Sequence, residues 1–278
     1  MANPLDSSSN WRKEAISFLS KNPRFYLFSK WETLYSSHPA LLHILRGLTI
    51  RFRTLKHLIE TLAKKQKYLE PSVFAALLLG YYQILFMPEI PDYAAINETV
   101  EGVKAFSSKG AGFVNALLRK LIKEVEICEA MDFTPSPNLL PLEKNRWARF
   151  SSPLFPHPQK QLEEYLSLAY SFPIKMVRQF LSLYGLEKTQ KILQESNERP
   201  PLFARIRKGY EKPGLLESWQ NEISSIFPEA RIYPTFQQDF IRIEGIQLTQ
   251  WPPFQRGEVY IQDFNSGRMV SQLLQAYS

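Results

Sequence analysis

Residues Ile90–Leu121 read IPDYAAINETVEGVKAFSSKGAGFVNALLRKL, and this stretch decides the fold. Pro88 and Pro91 stop what precedes it, Asp92 offers an N-cap, and Ile96, Val100 and Val103 recur at helical spacing. A basic turn rich in Ser and Gly then leads into a second helix. There Val114, Leu117, Leu118 and Leu121 mark one face, while Asn115, Arg119 and Lys123 stack four apart on the other. The lead-in Lys109-Gly110-Ala111-Gly112 is small enough to let a backbone approach the helix N-terminus, where unpaired amides and the dipole favour an anion. Spacing alone also fits an amphipathic core helix with a solvated polar face.

Upstream, the helical period continues. Leu41, Leu45, Leu48, Phe52, Leu55, Ile59 and Leu62 alternate at four and three, with Gly47 inside the stripe as a break or a close helix contact. Pro71 opens a helix whose Val73, Phe74, Leu77, Leu78, Tyr81, Tyr82 and Leu85 are apolar nearly all round, which suits the centre of a bundle. Residues 1–10 are expected to be disordered, and no strand pattern interrupts residues 11–128. This part reads as an all-α bundle.

Downstream, residues 129–160 carry Pro135, Pro137, Pro141, Pro153, Pro156 and Pro158 without sustained periodicity, the pattern of a linker partly ordered by docking of Trp147 and Phe150. Residues 161–278 read as a smaller α/β domain that starts with a helical hairpin. Pro173 precedes a helix through Met176, Val177, Phe180 and Leu181, Gly185 closes it, and a second helix runs to Asn197. Next come a strand in LFARIRK (202–208), a helix from Leu215 to Phe227, one or two strands in RIYPTFQQDFIRIEG, and a short strand at Glu258–Gln262. A last helix spans Ser266–Ala276, with Met269, Val270, Leu273 and Leu274 apolar. The fold class is mostly α, a helical bundle followed by a smaller α/β segment.

Charge is uneven along the chain. The net +7 and pI near 9.3 fit a polyanionic partner. Residues 1–128 hold 17 Lys/Arg against 11 Asp/Glu, whereas the remainder holds 17 against 16. Arg51, Arg53 and Lys56 add to the basic residues of the second helix quoted above. A nucleic-acid-binding first domain follows, with a solvated basic face as the alternative. Cys128 is the single cysteine and falls in an apolar-spaced run, so it reads as a packing residue; a disulfide within the chain and a cysteine-based zinc site are both excluded. The four histidines show no metal-ligand spacing. The longest apolar run, Val73–Leu79, is too short to cross a bilayer. No membrane and no metal are expected, and the expected location is cytoplasmic.

The segments IPDYAAINETV and KGAGFVNALLRKL resemble the signature of the NusB-like RNA-binding domain, in the form found at the front of RsmB/Sun-type ribosomal RNA cytosine-C5 methyltransferases. Later, NERPPLFARI and EVYIQDFNSGRMVSQLL are similar to the adaptor that precedes the catalytic domain in those enzymes, on Asn197, Pro200, Pro201, Arg205, Gln262, Asp263 and Ser266. The resemblance implies a bundle that holds ribosomal RNA through Lys109, Asn115, Arg119, Lys120 and Lys123, helped by Arg51, Arg53 and Lys56, with Arg205 facing RNA or packing. In the family a Gly-rich loop binds S-adenosylmethionine and cysteines attack the base. This sequence has no such loop, and Cys128 matches neither cysteine context. The expectation is an RNA-binding portion of a small-subunit ribosomal RNA methyltransferase, inactive alone and with no cofactor of its own. It would be a fragment, a truncated product or half of a split enzyme, with a separate catalytic domain or chain as the further partner. The alternative is a NusB-like protein and RNA interaction module related to transcription antitermination factors.

Overall fold

The computed structural model describes residues 11–23, 39–64, 68–129, 134–143, 145–198, 201–246 and 248–276. Residues 1–10, for which disorder is expected, lie outside these, as do Pro200 and the Leu274 side chain. The chain forms two compact units, one running to Glu198 and the other from Arg199.

The first unit is built around one central helix. Helices α1 (Trp11–Lys21), α2 (Pro39–Leu62), α4 (Asp92–Lys104) and α5 (Ser108–Glu124) all pack against α3 (Pro71–Phe86), which buries 13 of its 16 residues. The α2 stripe faces inward as its spacing requires. Leu41, Leu45, Leu48, Leu55, Ile59 and Leu62 are buried, each worth about 1.5–3 kcal/mol against exposure. Gly47 marks a contact rather than a break: α2 runs through it, and a Cβ there would come within 1.8 Å of Tyr82 Oη. One polar link crosses the core. Arg12 Nε donates to Gln83 Oε1 at 2.9 Å, and Gln83 Nε2 donates to Thr99 Oγ1 at 3.2 Å, tying α1, α3 and α4 together. Asp92 is not the N-cap. Pro91 holds that position and Asp92 is the first helical residue, where its charge favours the dipole.

Two departures from the sequence reading follow. The first unit is not all helical, because β1 (Val125–Glu129), β3 (Arg146–Phe150) and β2 (Leu139–Pro141) form an antiparallel sheet in the order β1-β3-β2. Val125 lies four residues after Leu121 and so continues a helical period, and strands of three to five residues are too short to show alternation. The stretch read as a linker is therefore largely built into the fold, with Trp147 and Phe150 buried. Second, the helical segment belongs to the first unit, and its hairpin is not the pair expected on either side of Gly185, which are the two halves of one bent helix. Helix α6 (Leu162–Ala169) and α7 (Ile174–Asn197) share its core through Tyr165, Leu166, Tyr170, Val177 and Leu193. Thr54 Oγ1 of α2 donates to Leu168 O at 2.6 Å, and Asn197 Nδ2 donates to Tyr170 O at 2.8 Å. Within α7, Gly185 sits at φ 71°, ψ 179°, so two helices meet there at an elbow that a side chain would strain.

The second unit is a split βαβ arrangement. Strands β4 (Leu202–Ile206), β5 (Arg231–Pro234), β6 (Phe240–Glu244) and β7 (Val259–Ile261) form an antiparallel sheet ordered β5-β6-β4-β7. Ala204, Ile206, Ile241, Ile243 and Val259 point to one face. There they bury Trp219 of α8 (Leu215–Ser224) and Trp251, which precedes α9 (Pro252–Gln255). The final helix, α10 (Phe264–Ala276), is capped by Asp263, whose Oδ1 accepts from Ser266 N at 2.8 Å and from Ser266 Oγ at 3.0 Å. That bond accounts physically for the Asp263-x-x-Ser266 spacing.

Candidate nucleic-acid interface

The basic helix α5 starts at an N-cap that sequence reading did not identify. Ser107 Oγ accepts from Gly110 N at 3.1 Å and donates to Glu70 Oε2 at 2.7 Å, while Ser72 Oγ donates to Glu70 Oε1 at 3.1 Å. The start of α5 thus already faces a carboxylate of its own chain. Lys109, Gly110, Ala111 and Gly112 lie within the helix and do not form a loop ahead of it. The two glycines differ in role. A Cβ on Gly110 would meet Val73 Cγ2 at 2.3 Å, so Gly110 allows α5 to seat on α3. A Cβ on Gly112 would meet nothing within 4 Å, and the residue is exposed. The approach the small residues permit is therefore at Gly112, on the side of the helix.

Along that side the exposed residues are Lys109, Gly112, Arg119 and Lys123, with Asn115 half-buried beside them. Asn115 Oδ1 accepts from Arg119 Nε at 3.1 Å, which holds the guanidinium along the helix axis. Val114, Leu117, Leu118 and Leu121 are buried on the opposite side. From Lys109 to Lys123 the stripe is about 21 Å long at 1.5 Å per residue. Neither lysine has an ion-pair partner among the described residues. An extended polyanion can pair with both lysines without displacing an ion-pair partner among the described residues.

Three of the expected contacts are engaged or buried within the chain. Lys120 Nζ donates to Leu62 O at 2.9 Å, closing the C-terminus of α2, where carbonyls lack helical donors. Arg51 is a correction, because it is 1% exposed and cannot reach RNA. Its guanidinium lies 4.7 Å from the Phe86 ring, and its three nitrogens make no hydrogen bond among the described residues. Burial pushes its pKa down to about 10, partly offset by Glu143, and it stays charged at neutral pH. The cations at 51, 53 and 56 suggest a basic face, but Arg51 lies beside Phe52 on a part of α2 that is covered by α6 as well as by α3. Arg53 and Lys56 remain exposed, Lys56 within 3.8 Å of Glu60. Arg205 belongs to the second unit, where its Nε donates to Asp239 Oδ2 at 2.6 Å. Among the described residues, no group of three or more His, Cys, Asp or Glu could hold a metal ion.

Residues 12–123 match the model of the NusB family. Over 235 residues the chain is 26% identical to a probable ribosomal RNA small subunit methyltransferase B of Synechocystis sp., covering 82% of this chain and 45% of that protein. A ribosomal RNA small subunit methyltransferase B of Citrobacter koseri is 28% identical over 205 residues, covering 73% and 39%. The transcription antitermination protein NusB of Clostridium tetani is 38% identical over 88 residues, covering 31% of this chain and 58% of that protein. The chain spans less than half the length of the two methyltransferases it matches.

Proposed function

From the premise that this chain carries a NusB-family domain and aligns beyond it with ribosomal RNA small subunit methyltransferase B proteins, we propose that it is the RNA-holding portion of such an enzyme. The observation that carries the reading is the α5 stripe of Lys109, Arg119 and Lys123, exposed, without ion pairs among the described residues and bare at Gly112. Contacts of this kind go to phosphates. They fix where ribosomal RNA lies and leave base selection and methyl transfer to a catalytic domain that binds S-adenosylmethionine. The exposed Met269, Val270 and Leu273 of α10 suit the seat of such a domain or chain. The antitermination reading is the weaker one: that relative aligns over 88 residues, whereas similarity to the methyltransferases runs through both units.

Titration of a ribosomal RNA hairpin into the full chain at several salt concentrations tests this. Arg119→Ala/Lys123→Ala is expected to weaken binding across RNA sequences alike and to reduce the salt slope by about 1.5. Because an Arg stem also covers apolar surface, a melting curve must accompany the comparison. A folded double variant that binds as the parent does would remove α5 from the interface.

A further inference from the structure

The second unit has an unassigned surface on the side of its sheet that faces away from the Trp219 and Trp251 core. Successive residues on a strand point to opposite faces, so Phe203 and Arg205 of β4 share this side with Phe240 and Arg242 of β6, Tyr233 of β5 and Tyr260 of β7. The register orders them. Arg242 is opposite both Tyr233 and Phe203, and Arg205 is opposite both Phe240 and Tyr260. The sheet therefore presents two rows, each an arginine between two aromatic rings. The Arg242 guanidinium carbon is 4.4 Å from the Tyr233 ring centre, and that of Arg205 is 5.4 Å from Phe240. A strand's pleat needs none of this, and packing against α8 uses only the other face.

The structure already lays one flat ring on these rows. Phe264, the first residue of α10, stacks on Phe203 at 5.1 Å and meets Phe240 edge-on at 5.4 Å. Helix α10 covers Phe240, through Gly267 as well as Phe264, and the outer ends of the rows are partly exposed. Tyr260 is 37% exposed and the Arg242 side chain 42%. The outer strands β5 and β7 lie about 14 Å apart at the usual strand spacing, so one crossing strand can reach both flanks.

We infer that this face binds unpaired RNA nucleotides, whose bases stack on Tyr260 and on the Tyr233–Arg242 pair. Planar guanidinium and aromatic surfaces suit any base, whereas a duplex keeps its bases stacked on one another and cannot use them. Each arginine also has a carboxylate close by: Asp239 at 2.6 Å from Arg205, and Glu244 at 3.4 Å from Arg242. The face is close to neutral, so stacking, not charge, holds the ligand, and binding here depends on salt far less than binding at α5.

The test uses the full chain carrying Arg119→Ala/Lys123→Ala, which silences the α5 stripe, with a fluorescein-labelled unpaired RNA octamer of mixed sequence and an RNA duplex as probes. The octamer is expected to bind with a shallow salt slope and the duplex weakly. Adding Tyr260→Ala or Arg242→Ala should lower octamer affinity roughly five- to a hundredfold, the range of one stacked base. Tyr260→Phe, which keeps the ring, should restore binding, whereas Arg242→Lys, which keeps only the charge, should not. Octamer affinity unchanged from the starting protein in Tyr260→Ala and in Arg242→Ala, or no octamer binding by the starting protein, overturns the inference and assigns the face to packing or to another protein. The proposed role of α5 is judged separately by the hairpin titration. Loss of hairpin binding in Arg119→Ala/Lys123→Ala sustains that role whichever way the octamer result falls.

Discussion

Arg51 is buried at a cost and contributes nothing evident to binding. A guanidinium without hydrogen-bond partners among the described residues has given up hydration that Glu143 and the Phe86 ring restore only in part. Replacing it with Met, an apolar chain of similar length, is expected to leave RNA affinity unchanged and raise unfolding stability by about 1–3 kcal/mol. Urea denaturation together with the hairpin titration measures both. A tenfold loss of RNA affinity in a folded Arg51→Met protein would contradict the buried placement. Gly112 offers the opposite trade. In the body of a helix a glycine is about 1 kcal/mol worse than alanine, and at this position no neighbour requires its bareness. Gly112→Ala should therefore stabilise α5 by about 1 kcal/mol. Gly112→Leu should fold equally well yet weaken RNA binding, because its side chain stands where the ligand backbone approaches. Thermal melts and RNA titrations of both variants decide this.

At the scale of elements, α5 is held at its end as well as its start. Glu124 accepts from the hydroxyls of Ser151 and Ser152, the latter at 2.9 Å, joining the helix to the segment after β3. The Ser151 bond, then the Ser152 bond, holds the Glu124 carboxyl below its ordinary pKa of 4.5. A carboxylate whose folded pKa is depressed stabilises the fold above its ordinary pKa, and that contribution is lost as pH falls through the lower folded value. Glu124→Gln should therefore melt lower than the parent at neutral pH, with the gap closing as pH falls below the ordinary carboxylate range and through the lower folded value. A constant gap across that range would detach the effect from ionisation. Much at this scale was legible. The α2 and α5 stripes, the central position of α3, the elbow at Gly185 and the order of elements after residue 200 all follow from period, proline and glycine. What escaped was pairing between short, distant segments. No local pattern in VEICE or RWARF says that Val125 meets Phe150, and the serine-to-glutamate bond at the start of α5 joins residues 37 apart.

For the whole molecule, two separate cores predict separable behaviour. The first unit closes at Glu198 with its own hydrophobic cluster, and the second has another around Trp219 and Trp251. A fragment ending at residue 198 is expected to fold and to bind the RNA hairpin within about threefold of the full chain, the reach of minor contacts. Loss of cooperative melting in that fragment would show that the first unit needs the second. The sequence placed this boundary too early because the prolines of 129–160 resemble a linker, whereas only long-range contacts such as Thr54 with Leu168 show that the hairpin belongs with the bundle.

The burial of Arg51 also orders events in time. Its surroundings include Tyr82 and Phe86 of α3, but also Glu143, Tyr170 and Glu198, which leave the ribosome later. Until those segments dock, the guanidinium keeps its water. The closing of the hairpin onto α2 is thus the step that must strip it, and a desolvation barrier belongs at that late stage of refolding. In stopped-flow refolding, Arg51→Met should accelerate the slow docking phase while leaving the earlier collapse of α1 and α3–α5 at the parental rate.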